Sequence, residues 1–182
     1  MLIRSLLLTL SLCAAMPVWA RLGDTEAQSQ ARYGAPAPAP ELAAPGDKPL
    51  LPGAKEAIYS FGGYRVRAAF VNNVAVRIEY AHLPEAGALK QLTDPEIKAI
   101  LGAEKATYSW KEEKPKTGNK GLDALQTFAE GRKWERSDHA MAKLKLNLLL
   151  ELEARDADTI EKKLSRQPGT VKPGATPVVP KF

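Results

Sequence analysis

Cysteine is almost missing from this 182-residue chain: the one copy, Cys13, lies in an apolar leader, and the rest offers no disulfide, thiolate nucleophile or Cys-based metal site. Histidine is nearly as scarce. His82 and His139 stand far apart, with no ligand spacing to Glu79 or Asp138, so neither a metal nor any other cofactor is expected. Ser137-Asp138-His139 holds the residue types of a catalytic triad, yet three consecutive residues cannot aim at one another as nucleophile, base and orienter must. No glycine-rich phosphate loop is present, and Gly62-Gly63 is what a tight hairpin requires. Glu112-Glu113 and Glu151 with Glu153 are carboxylate pairs of the kind solvated strands carry, without the opposed acid and base of a glycosidase. These absences make a non-enzymatic role the expectation.

Long apolar runs are also lacking. The stretch from Ser5 to Met16 is only 12 residues, follows a single positive charge at Arg4 and precedes Pro17-Val18-Trp19-Ala20. This is the layout of a secretory signal peptide cleaved after Ala20, which places the mature chain in the periplasm or outside the cell. An uncleaved anchor is the weaker alternative, because a spanning helix needs roughly 20 apolar residues. Lipidation at Cys13 is weaker still, since Leu10-Ser11-Leu12 puts a bulky leucine where a lipobox has a small residue. The formal net charge of +5, lowered by one when Arg4 leaves, is too small to argue for nucleic acid. Solvated surface charge explains it, and weak contact with anionic envelope polymer or lipid headgroups is the functional alternative.

What the chain does carry is a strong strand signal from Ala57 to Tyr80, read as three antiparallel strands. Directly paired residues share a face, so a two-residue Gly62-Gly63 turn puts Phe61 opposite Tyr64, Tyr59 opposite Val66 and Ala57 opposite Ala68. For the second turn, a three-residue loop of Val71, Asn72 and Asn73 pairs Phe70 with Val74 and keeps the large apolar residues together, whereas a two-residue Asn72-Asn73 turn separates them. The expected meander has one face of Tyr59, Phe61, Tyr64, Val66, Phe70, Val74, Val76, Ile78 and Tyr80. Its other face carries Arg65, Arg67, Arg77 and Glu79, with Arg67 opposite Arg77 and Glu79 opposite Arg65. Both faces supply candidate interaction residues: Arg65, Arg67 and Arg77 for an anionic partner, and Tyr59, Tyr64 and Tyr80 for a protein, if they are left uncovered. A solvated arginine face and a packed tyrosine core are the bland readings.

Before the meander, Thr25 with Gln28 forms a capping box for a helix within residues 21–34 that Gly34 stops. Residues 35–54 hold six prolines and read as an extended Pro/Ala-rich linker. After the meander, Asp94 is a candidate N-cap with Pro95 at the first helical position, Ile97, Ile100 and Leu101 form an apolar stripe, and Gly102 ends it. Residues 107–110 read as a strand, Leu122, Leu125 and Phe128 as a short helix, and Arg132 to Arg136 as a strand around Trp134. From Ala140 to Arg155 composition favours a helix, but Ala142, Leu144, Leu148, Leu150 and Leu152 follow a period of two. A hairpin with a Lys145-Leu146-Asn147 turn, pairing Leu144 with Leu148 and Ala142 with Leu150, is the expectation, and one long helix the alternative. A short helix over 156–164 and a disordered Pro-rich tail over 165–182 close the chain. The fold class is α+β: an antiparallel β-meander covered by short helices, with a second C-terminal β region, in a domain of residues 55–164 packed with 21–34.

Leu22-Gly23-Asp24-Thr25 leading to Arg32-Tyr33-Gly34-Ala35-Pro36, then Tyr59, Phe70, Asn73, Val74 and Tyr80, and later Trp134-Glu135-Arg136-Ser137-Asp138 with Ala140-Met141-Ala142, resemble a group of small uncharacterised exported bacterial proteins. More remotely, a Gly-x-Thr helix ending in Tyr-Gly-x-Pro before a meander is similar to the SmpA/OmlA (BamE-like) envelope family. That resemblance implies short helices on an antiparallel sheet and a role in outer-membrane protein assembly through protein contacts. The wider superfamily includes secreted binders of the β-lactamase-inhibitor type. A non-enzymatic envelope protein that binds another protein is the functional expectation, and a binder of anionic polymer or lipid the alternative.

Overall fold

The computed structural model describes residues 21–38, 48–84, 90–114 and 119–166; the leader and nearly all of the expected tail lie outside them. Helix α1 (Glu26–Tyr33) begins where its capping box places it, with Gln28 N–H donating to Thr25 Oγ1 and Thr25 N–H donating to Gln28 Oε1. It ends at Gly34, whose φ of 88° stops the helix. The meander consists of β1 (Lys55–Phe61), β2 (Tyr64–Val71) and β3 (Val74–His82), and the first hairpin has the expected register, Phe61 with Tyr64 and Tyr59 with Val66.

The second hairpin corrects the expectation. Asn72 and Asn73 both adopt left-handed φ, 50° and 64°, in a two-residue turn that pairs Val71 with Val74 and Phe70 with Ala75. Parity is restored by a β-bulge: Ala69 pairs with Arg77, so Val76 is the extra residue on β3. Beyond the bulge Ile78 and Tyr80 rejoin Val66 on the aromatic face, while Val76 packs with Ala69 on the other side and Val74 is left 36% exposed. The bulge also shifts the polar face. Arg67 stands opposite Glu79, not Arg77, and Arg65 stands opposite Ala81, not Glu79.

Helix α2 (Asp94–Glu104) is capped by Thr93, one residue earlier than expected, through Thr93 N–H donating to Glu96. It runs through Gly102 to Glu104, because nothing at Gly102 imposes a left-handed backbone and Glu104 is held by tertiary bonds. Strand β4 (Trp110–Glu113) starts at the last residue of the expected strand, and helix α3 (Lys120–Glu130) includes Leu122 and Leu125. Strand β5 (Arg132–Arg136) falls where Trp134 predicts it. The leucine-rich stretch is a hairpin of β6 (Met141–Lys145) and β7 (Leu149–Glu153), so periodicity outweighs helix propensity. Its turn lies one residue further on: Leu146 and Asn147 take left-handed φ, Leu144 pairs with Leu150 and Ala142 with Leu152. A shift of that size keeps parity, and those four side chains are buried. Helix α4 (Ala157–Arg166) follows.

The two β regions form one antiparallel sheet of seven strands in the order β1-β2-β3-β7-β6-β5-β4, an α+β fold. Strands β3 and β7 join the halves through Tyr80 with Leu150 and Ile78 with Leu152. On the aromatic face, Tyr33 of α1 and Ile97, Ile100 and Leu101 of α2 complete a core with Tyr59, Val66, Tyr80, Trp134 and Leu144. The opposite face is covered too. Leu50 and Leu51, from the expected linker, and Ile160 and Leu164 of α4 pack there on Ala69 and Val76. No described helix is long and apolar enough to cross a membrane.

Candidate functional site

The sheet places the candidate arginines and tyrosines on opposite faces, and both sets turn inward. Arg65, Arg67 and Arg77 are 5%, 5% and 9% exposed; Arg67 is held under Lys48, and Arg77 under Leu50 and α4. Glu79 Oε1 lies 3.3 Å from both Arg65 and Arg67, and Arg67 also donates to Glu56 at 2.7 Å and to the Lys48 carbonyl. Arg77 donates to the Leu50 carbonyl at 2.8 Å and forms ion pairs with Glu153 and Glu161. Burial pushes the Glu153 carboxyl up although Arg77 opposes the rise. A guanidinium with five fixed donors suits such a role, since each buried charge needs several partners. The cluster is a structural adhesive between the sheet and its second cover.

On the aromatic face, Tyr59 and Tyr80 are fully buried. The Tyr80 hydroxyl donates to Glu104 Oε1 at 2.7 Å and lies 2.9 Å from the Tyr33 hydroxyl. Glu104 is itself fully buried, receives the Leu22 N–H on Oε2, and is pushed up to about 8 by burial against the pull of these donors. Burial, with Glu104 next to it, also holds the Tyr80 phenol well above its ordinary range. Tyr64 sits at the rim, where its hydroxyl donates to Glu96 at 2.9 Å and its ring stacks on His82. Burial and then Glu96 push Tyr64 up to about 12. Burial opposes ionisation of Glu96, but the Thr93 donors, Tyr64 and His82 prevail and hold it at about 2. His139 is exposed in a left-handed turn position with Nδ1 2.7 Å from Glu135. Among the described residues no group of three or more His, Cys, Asp or Glu could hold a metal ion.

An open surface lies at the far end of the sheet. Among the described residues strand β4 is an edge, is mostly exposed, and pairs on one side only, with β5. At the other edge, β1 is partly covered by the Ala37 N–H, which donates to the Ile58 carbonyl. Helix α3 lies beside β4, across a cleft of about 830 Å³ whose walls include Lys111, Glu113, Gln126, Thr127, Glu130 and Lys133. The polar side of α3 therefore faces the cleft, and Leu122 and Leu125 stand in solvent, 54% and 66% exposed. The residue pattern places both leucines on a helix and does not distinguish them from core residues. Their spacing of three is an amphipathic signal, but a leucine pair at that spacing ordinarily faces the core. Comparison with protein-family models, with curated proteins and with solved structures gives no match.

Proposed function

We propose that this chain is an exported, non-enzymatic envelope protein that acts by binding another protein, with α3 and the neighbouring edge β4 as its contact surface. The observation that carries this reading is the exposure of Leu122 and Leu125 on a helix whose polar side is turned to the body of the protein. Two aliphatic anchors beside a strand edge that is unpaired among the described residues offer the two common means of peptide recognition, an apolar helix face and main-chain hydrogen bonds. The leader-like first 20 residues and the resemblance to BamE-like proteins support an envelope location and a partner in outer-membrane assembly. The alternative, an anionic polymer held by the arginine face, loses its support, because Arg65, Arg67 and Arg77 are covered and spend their charge on Glu56, Glu79, Glu153 and Glu161.

A photo-crosslinking residue at position 125, introduced into the full chain in cells that export it, tests the reading. A discrete adduct with one envelope protein, lost when Leu122→Asp is added and retained with Arg67→Lys, is the expected result. Absence of any discrete adduct at positions 122 and 125 and along 110–113 overturns it.

A further inference from the structure

The residues that directly follow the expected cleavage site are all held by the fold. Arg21 N lies 2.9 Å from Asp24 Oδ2, and the Arg21 carbonyl accepts the Asp24 N–H at 3.0 Å, closing a turn. Arg21 Nε donates to the Ala103 carbonyl, and Leu22 N–H donates to Glu104 Oε2, so the segment is tied to the end of α2. Gly23 N–H donates to the Ala75 carbonyl at 2.9 Å, Ala75 N–H returns to Asp24 at 2.8 Å, and Thr25 bridges Val74. The chain here occupies the side of β3 ahead of the stretch that pairs with β7, which begins at Arg77. Asp24 is 8% exposed and its carboxylate is fixed by Arg32 of α1, whose Nε lies 3.0 Å from the same Oδ2. Further ionisable groups at this junction are Glu104 of α2 with Tyr80 and Tyr33 linked to it, and Arg136 of β5, which donates to the Glu104 carbonyl and pairs with Asp138.

We infer that the bond between Ala20 and Arg21 is a processing site whose product is part of the structure: the α-ammonium freed on Arg21 is a ligand of the Asp24 carboxylate. The inference rests on the export reading proposed above. Hydrolysis places the oxygen of water on the Ala20 carbonyl carbon, releasing the leader as a carboxylate, while the Arg21 nitrogen takes up protons and becomes –NH3+. Before cleavage that nitrogen is a neutral amide making one hydrogen bond. Afterwards it is a cation at hydrogen-bond distance from a largely buried anion, and such charge-assisted bonds are about twice as strong as neutral ones. Cleavage therefore tightens the junction of α1, α2 and β3, and the processed chain is more stable than any form extended at Arg21. A terminal amine holds its proton below about pH 8. The added stability is present below that value and fades as pH rises through the amine's value in the folded chain.

The test uses the full chain, exported and purified, in four versions: natural, with Ala-Ser inserted between Ala20 and Arg21, with Asp24→Asn, and with both changes. Intact mass reports the N-terminus, and thermal unfolding is followed at pH 6.5 and pH 9.5. The expected result is an N-terminus at Arg21 and a midpoint lowered by roughly 2–4 °C by the insertion at pH 6.5. The difference should shrink at pH 9.5 and vanish in the Asp24→Asn background. An equal cost in both backgrounds, or none in the natural one, overturns the ion pair while leaving export intact. A chain that is exported with an N-terminus other than Arg21, or is not processed, overturns the inference together with the cleavage reading.

Discussion

Tyr80 donates its hydroxyl proton to Glu104 over 2.7 Å, between two side chains with no exposed surface. The pair joins β3 to the last residue of α2, and through Leu22 and Tyr33 it reaches the N-terminal segment and α1. Burial raises Glu104 from 4.5 to about 8, so at neutral pH the folded chain holds a proton that the unfolded chain has lost. Stability from this group is then full below about pH 4.5, falls as pH rises, and is gone above about pH 8, with a maximum slope of roughly 1.4 kcal/mol per pH unit. Urea unfolding between pH 4 and pH 9 measures it. Glu104→Gln, which mimics the protonated acid, should flatten the profile in that window, and an unchanged slope would show that other groups set it.

Glu79 lies between two arginines, so its removal takes a carboxylate from both, and Arg67 keeps Glu56 and the Lys48 carbonyl. Glu79→Leu should cost roughly 3–5 kcal/mol, as expected when one member of a buried ion cluster is lost. Lys111→Leu, on the exposed edge strand, should change stability by no more than about 0.5 kcal/mol. Chemical denaturation of the two variants side by side gives the comparison, and equal effects would mean that the arginine cluster is solvated in solution.

Two glycines with similar positive φ should respond differently to alanine. Gly63, φ 85°, has open space where a Cβ would go, and Gly63→Ala should cost about 1–2 kcal/mol for the left-handed backbone alone. At Gly131, φ 79°, a Cβ would come within 2.1 Å of the Leu144 carbonyl oxygen, which belongs to a β6 strand that cannot yield without breaking its pairing with β5. Gly131→Ala should lower the thermal midpoint well beyond Gly63→Ala, and it should reduce the yield of folded protein.

The Asn72-Asn73 turn offers a stabilising change. Both residues are left-handed, the arrangement in which Asn-Gly is the favoured pair, so Asn73→Gly should raise stability by a few tenths to about 1 kcal/mol. Asn73→Val should lower it by about 1–2 kcal/mol. If the loop had three residues with Asn72 outside the left-handed region, Asn72→Val would be tolerated; a loss comparable to that of Asn73→Val supports the two-residue turn.

Local signals decided much of this protein before any long-range contact was considered. The Thr25 and Gln28 box starts α1, Gly34 ends it, alternation sets β6 and β7 against a helix-forming composition, and Gly62-Gly63 sets the first hairpin, because caps, periodicity and tight turns act within a few residues. Tertiary structure decided what those signals leave free. A two-residue turn plus a bulge at Val76 and a three-residue turn without one bring Ile78 and Tyr80 to the same face, and only pairing across the whole sheet selects between them. The arginine face reads as solvated in the sequence, since its covers come from Leu50 and Leu51 in a proline-rich stretch and from α4 at the other end of the described chain. Leu122 and Leu125 are legible only as positions on a helix, for the converse reason: a helix shows its apolar stripe in its sequence, but whether that stripe is covered depends on elements that approach from elsewhere.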